Sequence, residues 1–112
     1  MAYLDVYKIE VVDQQELSGD ELYLNVNGKS TETTPELGTG GTYIFNYDPV
    51  WFSGTATVNL YESDPGGEVL WWDVDPDDYI DTAYVSSTPA SGVVEWMDGD
   101  GGLYDVYYSV WA

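Results

Sequence analysis

Residues 55–61 alternate without a break: Ala56, Val58 and Leu60 fall on one side, and Thr55, Thr57, Asn59 and Tyr61 on the other. A period of two is the mark of a strand with one face buried and the other in water. The pattern returns at Leu22, Leu24 and Val26, which alternate with Tyr23, Asn25 and Asn27. Asn27-Gly28 follows at once, the strongest short-range hairpin signal, and sends the chain back through a polar strand over residues 29–34. Segments rich in β-branched and aromatic residues recur at 3–12, 42–47, 79–86, 92–97 and 103–111, with a brief hairpin arm at 69–72. Turn-forming sequences separate them: DQQELSGD after Val12, Pro35 with the glycines at 38, 40 and 41, Asp48-Pro49, and DGDGG at 98–102. Nowhere do three helical turns of 3.6-residue pattern occur, and neither a repeat nor a linker is present. The expectation is one domain over residues 1–112, all-β, an antiparallel β-sandwich of about eight strands.

Charge is the second constraint. Asp and Glu number 21 against two Lys, giving a net charge of −19. An aromatic share of 16% and a hydrophobic share of 44% nonetheless indicate a folded chain. The acids cluster. Residues 62–81, ESDPGGEVLWWDVDPDDYID, hold eight of them: Glu62, Asp64, Glu68, Asp73, Asp75, Asp77, Asp78 and Asp81. Residues 13–21 hold four more: Asp13, Glu16, Asp20 and Glu21. If the strands run antiparallel, strand one and the 55–61 strand both descend into these loops, so the two acidic segments share one end of the sandwich. Like charges gathered there repel, and Lys8 and Lys29 are too few to offset them. A bound cation is the expected counter-charge. Calcium fits best, because it takes ~6 to 8 oxygen ligands in a flexible geometry, while magnesium prefers fewer protein ligands and a strict octahedron.

Composition also excludes. A sequence pI near 4.1 is incompatible with unaided binding to nucleic acid or to an anionic membrane without calcium, since both need Lys and Arg against phosphate. With neither Cys nor His there is no disulfide, thiolate nucleophile, Cys/His zinc site or Ser-His-Asp triad. The opening MAYLDVYKIEVV has no charged n-region followed by a long apolar stretch, and no apolar run nears the ~20 residues of a membrane span. The sequence names no location: the cytoplasm and a destination reached by an unmarked export route are both open.

The run VVDQQELSGDELYLNVNGK resembles the first calcium loop of a C2 domain, the β-sandwich module of protein kinase C and the synaptotagmins. There an Asp precedes a short loop ending in a G-x-S-D-P-Y-V-K-V type sequence. VNLYESD followed by DDYID is similar to that family's second acidic loop, in which an Asp-x-Asp pair closes one strand and a further Asp stands before an aromatic-Ile pair. The resemblance spans residues 3–84 and implies a C2-like sandwich. It implies Asp13 and Asp20 as first-loop ligands, Glu62 and Asp64 as the pair, and Asp78 as the last ligand. This chain departs from the pattern in three places: Glu62 stands for Asp, Glu21-Leu22 stand for Pro-Tyr, and residues 66–76 are longer and add Asp73 and Asp75. Asp75 and Asp77 are reserve ligands. Basic patches of the lipid-binding members are absent, so membrane docking does not carry over.

Other readings compete. A salt-adapted surface would explain two Lys and no Arg, but such charge spreads over exposed faces, whereas the 42–47 and 55–61 strands carry none. An EF-hand over Asp73, Asp75 and Asp77 fails, because Asp78 stands where Gly is needed and Tyr84 where Glu is needed. Asp98 and Asp100 read as a hairpin turn. Trp51, Trp71, Trp72, Trp96 and Trp111 are core or strand-face residues, or else a platform for carbohydrate in a calcium-stabilised sugar-binding module. Surface Tyr and edge strands also suit pairing with other copies of the chain into a homo-oligomer. A glycosidase with paired carboxylates has little room for a cleft in a chain this short. The sequence thus predicts a non-enzymatic calcium-binding module acting in calcium-dependent binding, adhesion or assembly.

Overall fold

The computed structural model describes residues 1–14, 19–63, 78–99 and 101–112. Nine strands are present among them: β1 (Ala2–Asp13), β2 (Leu22–Val26), β3 (Lys29–Ser30), β4 (Thr42–Ile44), β5 (Val50–Phe52), β6 (Thr55–Glu62), β7 (Asp78–Ser86), β8 (Ala90–Gly99) and β9 (Gly102–Trp111). They form two antiparallel sheets. Sheet I runs β4-β1-β9-β8, with β5 also on β1; sheet II runs β3-β2-β6-β7. Both β4 and β5 use the same edge of β1, β4 along Lys8–Glu10 and β5 along Ala2–Leu4. The alternation read from the sequence places Leu22, Leu24 and Val26 with Ala56, Val58 and Leu60 on the inner face of sheet II. Facing them from sheet I are Leu4, Val6, Ile9, Val11, Tyr104 and Val106, all almost fully buried. Burying each such side chain is worth roughly 1.5–3 kcal/mol, so this two-layer core carries the fold.

Asn27 and Gly28 have φ of 52° and 96°, the left-handed pair that a two-residue hairpin between twisted strands requires. The polar strand that follows is shorter than expected, at Lys29–Ser30. Threonines replace its ladder. Thr31 and Thr34 donate their backbone N–H to the carbonyls of Leu24 and Leu22, while their hydroxyls accept from the N–H groups of Leu24 and Leu22 at 3.0 Å each. The strand expected over residues 42–47 likewise stops at Ile44, though Phe45 N–H still reaches the Tyr7 carbonyl at 2.9 Å. β5 escapes sequence reading because three residues after a proline show no period; its pairing with Ala2–Leu4 makes it a strand. The expected hairpin arm at 69–72 lies outside the described residues.

The sheets meet along β7 and β8. Ile80 carbonyl presses so closely on Gly99 that a Cβ there would overlap it, and Asp81 Oδ2 accepts the Asp98 N–H at 3.1 Å. The obstacle is backbone, which cannot swing aside. Gly99→Ala should therefore lower stability by about 2 kcal/mol or more, read from the urea midpoint, and an unchanged midpoint would mean the corner is not tight.

Candidate cation site at the acidic end of the sandwich

Register gathers the acidic residues. Glu62 ends β6 and lies between Leu22 of β2 and Asp78 of β7, directly opposite each. Asp13 ends β1 opposite Leu103, which also pairs with Asp98 at the end of β8. Asp20 precedes β2 and makes an isolated bridge to Leu37, with N–H to O distances of 2.9 and 2.8 Å. Asp13, Asp20, Glu62 and Asp78 thus occupy one end of the molecule, together with Asp81 and Asp98. The chain's cations are elsewhere. Lys8 lies in mid-strand with Nζ 4.7 Å from the Tyr107 ring centre, Lys29 follows the Asn27-Gly28 hairpin at the opposite end, and Met1 begins beside β5. No lysine or amino terminus offsets these carboxylates.

The four are not equivalent. Glu62 is buried on the inner face, the position after Leu60 in the apolar row, and Asp78 beside it is half-buried. Asp13 is exposed at the rim, where a bulge between Val11 and Asp13 shifts the register against β9. Asp20 is wholly buried and its Oδ2 accepts the Tyr104 hydroxyl at 2.6 Å. That bond links the residue entering β2 to β9 of sheet I. Tyr104 reaches Asp20 by folding its ring over Gly102, where a Cβ would collide with the ring and hydroxyl. The DGDGG turn is a hairpin, with Gly99 opposite Gly102 and Gly101 at φ 86°. Its last glycine also clears space for the tyrosine, a role no turn signal reveals.

Among the described residues no three carboxylates lie close enough together to hold one ion. The structure brings Glu62 and Asp78 into direct register, puts Asp20 into a hydrogen bond inside the fold, and leaves Asp13 at the rim. Asp64, Asp75 and Asp77 lie outside the described residues. Oxygen donors alone are a set for calcium or magnesium rather than for softer metals. Sequence reasoning did not assign Asp81 a role; its Oδ1 accepts the Thr82 N–H at 2.8 Å and its Oδ2 the Asp98 N–H, so it ties the sheets together. Trp51, Trp96 and Trp111 stand on strand faces and are exposed, and aromatic core positions belong instead to Phe45, Phe52, Tyr104 and Tyr108.

Carboxylate crowding extends to the outer face of sheet I. Glu10 and Asp105 are directly opposite across β1 and β9. Burial, reinforced by the neighbouring Glu10 charge, pushes the Asp105 carboxyl above its ordinary value, and its Oδ1 is buried with no hydrogen-bond partner among the described residues.

No protein-family model matches the sequence, and no curated protein matches it. Solved structures do match. One, titled "Structure of a C2 domain", superposes with a TM-score of 0.59 at 8% identity, covering 99% of this chain and 97% of that one. The sandwich is C2-like.

Two outcomes follow from the buried polar groups. Tyr104→Phe keeps the ring but withdraws the hydroxyl from Asp20, and should cost roughly 1.5–3 kcal/mol in urea unfolding; Gly102→Ala, which displaces the same ring, should cost at least as much. Asp105→Asn should raise the melting temperature at pH 7. A carboxyl whose folded pKa is raised favours folding only while protonated, and that contribution is lost as pH rises from the ordinary 3.8 through the folded value. The advantage of the Asn variant should therefore vanish as pH falls through that window.

Proposed function

We propose that this C2-like sandwich is a non-catalytic calcium-binding module whose ion sits at the acidic end. The observation that carries the reading is the placement of Asp13, Asp20, Glu62 and Asp78 at one end while Lys8, Lys29 and the amino terminus lie elsewhere. Carboxylates gathered in one region repel one another, which draws on a small domain's stability of ~5–15 kcal/mol. A divalent cation relieves this at its source.

Glu62 and Asp78, opposed across β6 and β7, anchor the ion. Asp64, two residues beyond Glu62, with Asp75 and Asp77 just before Asp78, completes the oxygen set from the same acidic segment. Asp13 contributes from the rim. Asp20 acts through Tyr104, which ties the residue entering β2 to β9 at the base of the site. A bound calcium ion would supply the positive charge that this end of the chain lacks. Its downstream work is calcium-dependent binding or assembly.

Calorimetric titration of chelator-stripped protein with calcium tests the reading. It is done in ~0.1 M salt, where charges are felt over about 10 Å, and in ~1 M salt, where the range is about 3 Å. Saturable binding that survives high salt, raises the melting temperature and is lost in Glu62→Gln and Asp64→Asn is expected. Weak heat that vanishes in high salt would make the acids a solvated coat and remove the calcium site.

A further inference from the structure

We infer that the outer face of sheet II binds a neutral polysaccharide, laid across β2, β6 and β7. The register writes this face in rows. Tyr23, Tyr61 and Tyr79 make one, Asn25, Asn59 and Thr82 the next, and Thr57 opposes Tyr84 in a third. Rings of Tyr23 and Tyr61 stack with centroids 5.2 Å apart and planes 14° from parallel, and Tyr61 meets Tyr79 edge-on at 5.8 Å. Tyr79 and Tyr84 are 53% and 71% exposed, while Tyr23 and Tyr61 are half-buried, so the rings of β7 are the ones that face water.

Charge selects the occupant. Twenty-one carboxylates are available to this chain, yet none of the side chains in these rows is charged. Positions on a solvated sheet face accept Asp or Glu readily, and an acidic coat would fill them. A cationic ligand would call for carboxylates here and an anionic one for lysines; the rows hold neither. A second copy would bring a further −19 toward the first. What the rows do hold is flat aromatic carbon beside amides and hydroxyls that both donate and accept. Those are the groups that meet the CH faces and hydroxyls of an uncharged sugar chain.

The polar groups are held in position beforehand. Tyr79 Oη and Thr82 Oγ1 are 2.5 Å apart, and Thr82 Oγ1 donates to Asn59 Oδ1 at 2.5 Å. Side chains already fixed by each other lose little freedom on binding. The tyrosine row crosses the strands at their ~4.8 Å spacing, so a chain following it meets successive rings along its length.

The experiment is retention on insoluble cellulose, xylan and mannan, with titration of the matching hexasaccharides, done in EDTA so that the outcome does not depend on the cation reading. Tyr79→Ala and Tyr84→Ala remove exposed rings, and Asn59→Asp puts one charge at the centre of the face; melting curves establish that each variant is folded. Binding to at least one of these glycans, weakened about tenfold or more by each of the three variants, is expected. Trp111→Ala is the control. Trp111 lies 6.0 Å from Tyr3, and Tyr3 4.4 Å from Trp51, in a separate patch on sheet I beside a groove of about 630 Å³ that includes the Asp5 carboxylate. Its loss should leave affinity unchanged. Binding lost in Trp111→Ala but kept in the tyrosine variants would overturn the assignment, as would no binding to any of the three glycans. Concentration-dependent self-association abolished by Tyr79→Ala would also overturn it, and would make the face an interface between copies.

Discussion

A single hydrogen bond, from the Tyr104 hydroxyl to the Asp20 carboxylate, decides how the acidic end of this sandwich closes. It joins residues 84 apart in sequence, one just before β2 and the other on β9, where neither has contact with solvent. A buried carboxylate without a donor is among the costliest groups a fold can carry, and here the donor is supplied by a ring that lies over a glycine. With Asp20 fixed, its main chain pairs with Leu37 and β2 enters sheet II in the register that sets Leu22 beside Glu62. Asp78 follows from that register, directly opposite Glu62 on β7.

How much of this was legible depended on the range of the physics involved. Alternation over residues 22–26 and 55–61 is local, and it gave the inner face of sheet II residue by residue. The Asn27-Gly28 turn is equally local, and both residues have the positive φ it demands. Antiparallel logic alone put the two acidic segments at one end, and the described residues that flank them lie there: Glu62 opposite Asp78, Asp13 opposite Leu103, and Asp20 bonded to Tyr104. β5 was not legible, because Val50–Phe52 becomes a strand only through Ala2–Leu4, nearly fifty residues upstream. Nor was the use of Asp20. A first-loop aspartate in an acidic sequence reads as a ligand, and nothing near it announces that Tyr104 will reach it from β9.

Charge on this molecule is distributed by surface. One end collects carboxylates; the outer face of sheet II carries none in its central rows; the outer face of sheet I mixes Glu10, Asp105 and Asp5 with Tyr107 and exposed tryptophans. Solubilising acidity would even these surfaces out. Their differences give the chain three chemically distinct exteriors on one core.

The longest-range feature is the central pair of sheet I. β1 and β9 lie side by side, Tyr3 opposite Trp111, so the sheet's two middle strands come from opposite ends of the sequence. β4, β5 and β8 all attach to this pair and have no other partner in sheet I. Closing so long a loop costs more conformational entropy than closing a short one before any ladder bond repays it. Sheet II, whose β2, β3, β6 and β7 lie within residues 22–86, closes shorter loops. Its uncharged tyrosine face is therefore built from contacts nearer in sequence than those that hold the central pair of sheet I.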